Sequence, residues 1–94
     1  MTSRSTHDIE RALLRKGFIR EDTHHRFLIF LGPSGDEATR TRLSHGIPEY
    51  GDDLLAKVAG QLRLGKRELL ELIDCRMSGE QYAALLQERG VLQR

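Results

Sequence analysis

Residues 22–45 read DTHHRFLIFLGPSGDEATRTRLSH. Phenylalanine, leucine and isoleucine fill residues 27–31, and these residue types favour a β-strand. Glycine, proline and acidic residues within 32–38 are typical of a hairpin loop with a bulge. Residues 39–45 then alternate between two faces, with Thr39, Thr41, Leu43 and His45 on one and Arg40, Arg42 and Ser44 on the other. The stretch therefore predicts an antiparallel hairpin whose second strand is packed on one face and open on the other.

Three of the four histidines, His24, His25 and His45, stand at the two ends of this hairpin. If the turn is centred near Gly35, strand pairing sets His24 or His25 close to His45, with arginines between them and the turn. Imidazole can hold either protonation state near neutral pH. Two imidazoles beside arginines therefore predict a site for acid–base chemistry on a phosphodiester.

The flanking sequence predicts one further strand and four helices. A strand begins at residues 18–19, just after a glycine that ends the first helix. Helical spacing and capping residues predict helices over residues 6–16, about 52–62, near 66–73, and from Ser78 to Gly90. Ser78 and Gln81 are expected to form a capping box at the start of the last helix. The order α-β-β-β followed by three helices predicts an α+β domain. Its core is a three-stranded antiparallel sheet packed by helices chiefly on one face.

Length and composition are those of one folded domain over residues 1–94, with 38% apolar and 31% charged residues. The net charge of +1 requires any contact with a polyanion to be local. A polar N-terminus and short apolar runs predict a cytoplasmic protein with no membrane segment. The single cysteine, Cys75, excludes an internal disulfide and is expected to be a small buried side chain.

Residues 6–64 resemble a known family. A leading helix ends in Lys16-Gly17-Phe18, histidines open the next strand, a third strand ends in histidine, and a helix follows. This arrangement is similar to the HicA toxins of bacterial and archaeal toxin–antitoxin pairs. The resemblance implies a fold like that of double-stranded RNA-binding domains, mRNA interferase activity, and neutralisation by a HicB-like antitoxin. Residues 1–5 then form a tail, and residues 65–94 form a helical extension.

The resemblance also implies roles for individual residues. Asp22-Thr23-His24 stands at the place of the family's Gly-Ser-His motif, so His24 takes the catalytic role. We expect His24 to act as general base and His45 or His25 as general acid in RNA cleavage without a metal or cofactor. The residues expected to hold the substrate are Thr23, Arg26, Arg40, Arg42 and Ser44.

Three alternatives stay open at this point. Asp22 stands where the family has glycine, and its charge opposes phosphate, which favours a non-catalytic nucleic-acid-binding or protein-interaction module of the same fold. The C-terminal helices resemble a DNA-binding helix-turn-helix in their spacing, but acidic residues surround their one compact basic pair, Lys66-Arg67. We therefore interpret them as extra core, or as a docking face for a partner or a second copy in a homodimer. A zinc site is weaker, because no two histidines have helical ligand spacing.

Overall fold

The computed structural model describes residues 2–44 and 46–92. The elements in chain order are β1 (Arg4–Ser5), α1 (Thr6–Arg15), β2 (Ile19–Asp22), β3 (Arg26–Leu31), β4 (Glu37–Leu43), β5 (Glu49–Tyr50), α2 (Asp52–Gln61), α3 (Lys66–Ile73) and α4 (Gly79–Glu88). The predicted mixed α+β fold with a three-stranded antiparallel sheet is confirmed.

The three-stranded sheet has the strand order β2-β3-β4, and both pairings are antiparallel. Leu28 of β3 lies opposite Thr41 of β4, so these two side chains project from the same face of the sheet. Thr39, Thr41 and Leu43 are buried, whereas the two arginines between them are exposed. The predicted alternation of β4, with one packed and one open face, is thus confirmed.

The packed face of the sheet and the apolar stripes of the helices form one core. Leu28 and Phe30 supply its sheet side. The helices bury their apolar residues against that side and against each other because each carries them at helical spacing. The residues contributed by α1, α2, α3 and α4 include Ile9, Leu13, Leu55, Val58, Leu69, Leu72, Tyr82 and Leu86. The C-terminal helices therefore share the core of the sheet.

Tyr82 of α4 joins the sheet to the helices at the centre of this core. Its side chain is fully buried, and its ring lies 4.8 Å from the ring of Phe30 and 5.6 Å from that of Phe18. Its hydroxyl donates to the carbonyl of Leu62 at 2.9 Å. The same hydroxyl lies 2.8 Å from Oγ1 of Thr39. Both hydrogen bonds are buried, so β4, α4 and the end of α2 are held at one point.

The N-termini of α1 and α4 are capped by serine side chains. The N–H of Asp8 donates to Oγ of Ser5 at 3.0 Å at the start of α1. At the start of α4, Gln81 donates its N–H to Oγ of Ser78 at 3.0 Å, and Ser78 donates its N–H to Oε1 of Gln81 at 2.8 Å. The capping box predicted from residues 78–81 is therefore confirmed.

The described helices all end in a left-handed residue with positive φ. It is glycine after α1 and α4, at Gly17 and Gly90, but Arg63 (φ 64°) after α2 and Cys75 (φ 65°) after α3. A side chain in this conformation costs about 1–2 kcal/mol. Cys75 is exposed at its turn, so the expectation that it is buried is wrong. The ends of α2 and α3 carry strain that glycine would remove.

The sequence did not predict the two-stranded pairing of β1 with β5. Arg4 lies opposite Tyr50. Arg4 and Ser5 belong to residues 1–5, which were expected to form a tail. The Arg4 guanidinium also donates to both carboxylate oxygens of Asp74, at 2.9 Å and 2.7 Å. A strand as short as β1 has no periodicity to recognise, and its partners lie far along the chain.

We expect Tyr82→Phe to lower the free energy of unfolding by about 1–3 kcal/mol, because the Leu62 carbonyl and the Thr39 hydroxyl lose a buried partner. Urea denaturation followed by circular dichroism measures the change. Tyr50→Phe is the comparison, since the Tyr50 hydroxyl accepts a single hydrogen bond, from the Ser44 N–H. A smaller loss for Tyr82→Phe than for Tyr50→Phe would contradict the central role of Tyr82.

Because of the same hydroxyl, the free energy of unfolding depends on pH in the alkaline range. Burial raises the pKa of Tyr82 to about 12, against about 10 in an unfolded chain. The folded state therefore favours the neutral phenol, and this contribution is complete below about pH 10 and is lost as pH rises toward about 12. The difference in unfolding free energy between the wild type and Tyr82→Phe should shrink across that range. A difference that stays constant across this range would contradict the raised pKa of Tyr82.

Two helical glycines are expected to respond oppositely to alanine. A Cβ at Gly79 would overlap the Lys16 carbonyl group, so Gly79→Ala should destabilise the fold by about 1–3 kcal/mol. A Cβ at Gly60 meets no atom within 4 Å, so Gly60→Ala should stabilise it by about 0.5–1 kcal/mol. Thermal denaturation of both variants measures the shifts. Equal shifts of one sign would show that α4 does not pack closely on the end of α1.

Candidate nucleic-acid interface

Thr23, His24 and His25 form the turn between β2 and β3. The Thr23 N–H donates to the His25 carbonyl at 3.1 Å, which closes the turn. All three side chains are exposed. The histidines were expected to open β3, but β3 begins at Arg26. Both imidazoles are therefore open to solvent on a tight turn, where a ligand can reach them.

The turn lies at the end of the sheet where β4 finishes. Arg26 pairs with Leu43, the last residue of β4, and Ser44 follows at once. The Ser44 N–H donates to the hydroxyl of Tyr50 at 2.9 Å, which fixes the backbone there. His45 lies outside the described residues, so its proximity to His24 stays a prediction.

Arg26 is held by carboxylates. Its guanidinium donates to Glu10 at 2.8 Å and to Asp22 at 3.1 Å. Arg20 contacts the same two carboxylates, each at 3.4 Å. The hydrogen bond that Arg26 donates to Glu10 is the main cause that raises the pKa of Arg26, and the one that it donates to Asp22 adds to it. Two guanidiniums face two carboxylates, so Arg26 must exchange a partner to hold phosphate.

On the open face of the sheet, the aromatic ring of Phe27 has two arginines and a histidine as neighbours. The Arg40 guanidinium carbon lies 4.9 Å from the centre of the Phe27 ring. The His25 ring meets the same ring edge-on at 6.4 Å, and Arg42 pairs with Phe27 across the strands. We call His25, Phe27, Arg40 and Arg42 the open-face cluster. It brings together three of the residues predicted for the site.

Arg40 is also paired within its own strand. Its Nε donates to Glu37 at 2.9 Å, and this hydrogen bond lowers the pKa of the Glu37 carboxyl. The same contact raises the pKa of Arg40. Both side chains are more than one-third exposed, so the pair is open to exchange with another anion. Arg42 has no ion-pair partner among residues 2–44 and 46–92.

A groove of about 670 Å³ lies between β4 and α2, and Phe27, Arg40 and Arg42 of the cluster are among the residues that line it. One wall is residues 37–42, and the other is Lys57, Gly60, Gln61 and Arg63. We call it the β4–α2 groove. Thr41 and Gln61 both line the groove, and the Thr41 hydroxyl donates to Oε1 of Gln61 at 2.6 Å, which joins the strand to the helix. A second depression lined by Ser44, Tyr50 and Leu54 shares lining residues with it.

Sequence reasoning missed Phe27 and the α2 wall of the groove. Phe27 stands in an apolar run that gave no sign of which of its residues face outward. The spacing of apolar residues in α2 showed that Lys57 and Gly60 lie away from its apolar stripe. Nothing in the sequence indicated that these two residues border β4. Such a neighbourhood depends on tertiary packing rather than local pattern.

In the described part of the chain, no three His, Cys, Asp or Glu side chains are grouped so that they could hold a metal ion. None of its helices has the length and apolar character needed to cross a membrane.

The chain was also compared with known proteins. It matches no protein-family model, no curated protein and no solved structure. What the site does is therefore inferred from its own chemistry.

Proposed function

We propose that this protein binds single-stranded RNA on the open face of its sheet and cleaves it, without a metal, at the histidine turn. The observation that carries the proposal is the open-face cluster, in which the Arg40 guanidinium and the His25 ring both lie against the half-buried ring of Phe27. Aromatic rings on an exposed sheet are platforms on which unpaired bases stack, and guanidiniums hold the adjoining phosphates. The resemblance to HicA toxins supports the same function and makes a HicB-like antitoxin the expected protein partner.

Cleavage would use the exposed imidazoles at the end of this surface. His24 removes the proton from the ribose 2′-hydroxyl, whose oxygen attacks phosphorus. The bond from phosphorus to the 5′-oxygen breaks, and His25 or His45 gives that oxygen a proton, which leaves a 2′,3′-cyclic phosphate. Arg42 balances charge on the phosphoryl oxygens. This assignment keeps His24 as base and either other histidine as acid.

A second candidate function is RNA binding without cleavage. It is favoured by the carboxylates beside the turn, because Asp22 and Glu10 occupy the guanidinium of Arg26. Their negative charge opposes a phosphate close to His24. The protein would then hold RNA by stacking and by Arg40 and Arg42 alone.

Phe27→Leu should weaken binding of a short fluorescent single-stranded RNA roughly 5- to 150-fold. Leucine keeps the apolar packing but removes a stacking surface worth about 1–3 kcal/mol per base. Fluorescence anisotropy at fixed salt measures the affinity. Leu14→Ala is the control, since Leu14 is an exposed apolar residue on α1, outside the cluster. Equal affinities for all three proteins, or no binding by the wild type, would overturn RNA binding at this face.

His24→Ala should lower the rate of transcript cleavage in excess chelator by about 10²–10⁴-fold, because a general base is lost. Gel analysis of an end-labelled transcript measures the rate. His7→Ala is the matched control, since His7 is exposed on α1. Full cleavage by His24→Ala would contradict the assignment. Binding without cleavage by the wild type would establish the second candidate.

A further inference from the structure

The outer edge of β4 is open. β4 ends the three-stranded sheet on one side. Within the described residues, the backbone of residues 38–42 is hydrogen-bonded only to β3. Every second residue of an edge strand turns its N–H and C=O away from its partner strand. Along β4 these groups border the β4–α2 groove, where they can bond to an added chain.

The walls of the groove are basic. Arg42, Lys57 and Arg63 have no ion-pair partner in the part of the chain that the structure describes. Arg40 at the rim is paired with Glu37, the one acidic side chain of the lining. The groove therefore favours an occupant that carries negative charge.

The end of α2 has its glycine and its arginine in places that helix stability alone does not explain. Gly60 stands inside the helix although a Cβ there would meet nothing within 4 Å. Arg63 stands in the left-handed position, where α1 and α4 have glycine. Both residues line the groove. Gly60 leaves space beside β4 that the free protein does not use, and Arg63 adds charge at a strained position.

We propose that the β4–α2 groove binds an acidic, extended peptide that pairs with β4 as a fourth strand. Its backbone would bond to the open edge, and alternate carboxylates would lie beside Arg40 and Arg42 on the outer face. The intervening side chains would point toward α2, where Gly60 leaves room for small residues. This proposal does not depend on RNA binding by the open-face cluster.

The other occupants fit less well. Pairing of β4 with β4 of a second copy would set arginines near arginines, and like charges across a strand pair repel. RNA would satisfy the cations but would leave the N–H and C=O groups of the strand edge without partners of matching spacing. Only a peptide strand complements both the charge and the edge.

The test is binding of a fluorescent peptide of alternating glutamate and threonine to the whole protein. Two matched control peptides separate the contribution of backbone hydrogen bonds from that of charge. Proline in place of threonine keeps the charge but removes alternate N–H groups, and lysine in place of glutamate reverses the charge. We expect binding of the first peptide and at least about tenfold weaker binding of both others.

Two variants test the groove, and neither is expected to unfold the protein. Gly60→Leu fills the space beside β4, and Arg63→Gly removes a charge from the groove. Both changes should stabilise the C-terminal end of α2. We expect Gly60→Leu to weaken peptide binding at least about tenfold and Arg63→Gly about two- to fivefold. Cys75→Gly relieves the same backbone strain at the end of α3 and should leave binding unchanged.

Hydrogen exchange locates the bound peptide. Slower exchange of the outward amides of β4 on peptide binding is expected for strand addition. Equal binding of the proline peptide, or competition by single-stranded RNA of equal charge with no change in β4 exchange, would show a general polyanion site and overturn the proposal. Protected β4 amides in the free protein, together with a doubled mass by light scattering, would assign the edge to a second copy and overturn it too.

Discussion

The hydroxyl of Tyr82 is the contact on which the arrangement of sheet and helices depends. It is buried, and it satisfies the carbonyl at the end of α2 and the hydroxyl of Thr39 on β4 together. A buried polar group without a partner is costly, so the core is stable only when strand, helix end and α4 come to the same place. The distance between β4 and α2, and with it the shape of the groove, follows from this constraint.

The sequence predicted those parts of the fold whose cause is local. The alternation of residues 39–43 and the capping box at Ser78 each depend on neighbours a few residues away, and both were correct. The pairing of β1 with β5 was not predicted, because it joins short segments that are far apart in the chain. Cys75 was expected to be buried, but residue type alone does not tell that it follows a helix end and takes a left-handed conformation.

In the candidate site too, local pattern predicted some features, and tertiary packing determined the others. Period-two spacing predicted that Arg40 and Arg42 share the open face, and they do. The capture of Arg26 by Glu10 was not foreseeable, because it joins β3 to α1 across the packing of the domain. The neighbourhood of Phe27 and Arg40 also needed the register of two strands. What local pattern misses is which charges are already compensated, and this decides which remain for a ligand.

The link between Arg4 and Asp74 has a consequence for how the chain is assembled during synthesis. The two residues are 70 positions apart, and the partner of β1 is β5. Contacts between distant segments form only after the intervening chain is made, and closing the loop costs entropy. The hairpin of β3 and β4 can pair as soon as it leaves the ribosome, while β1 can pair only after residues 49–50 have been made, and Arg4 meets Asp74 later still. Residues 4–5 are thus translated before the hairpin but reach their final position after it.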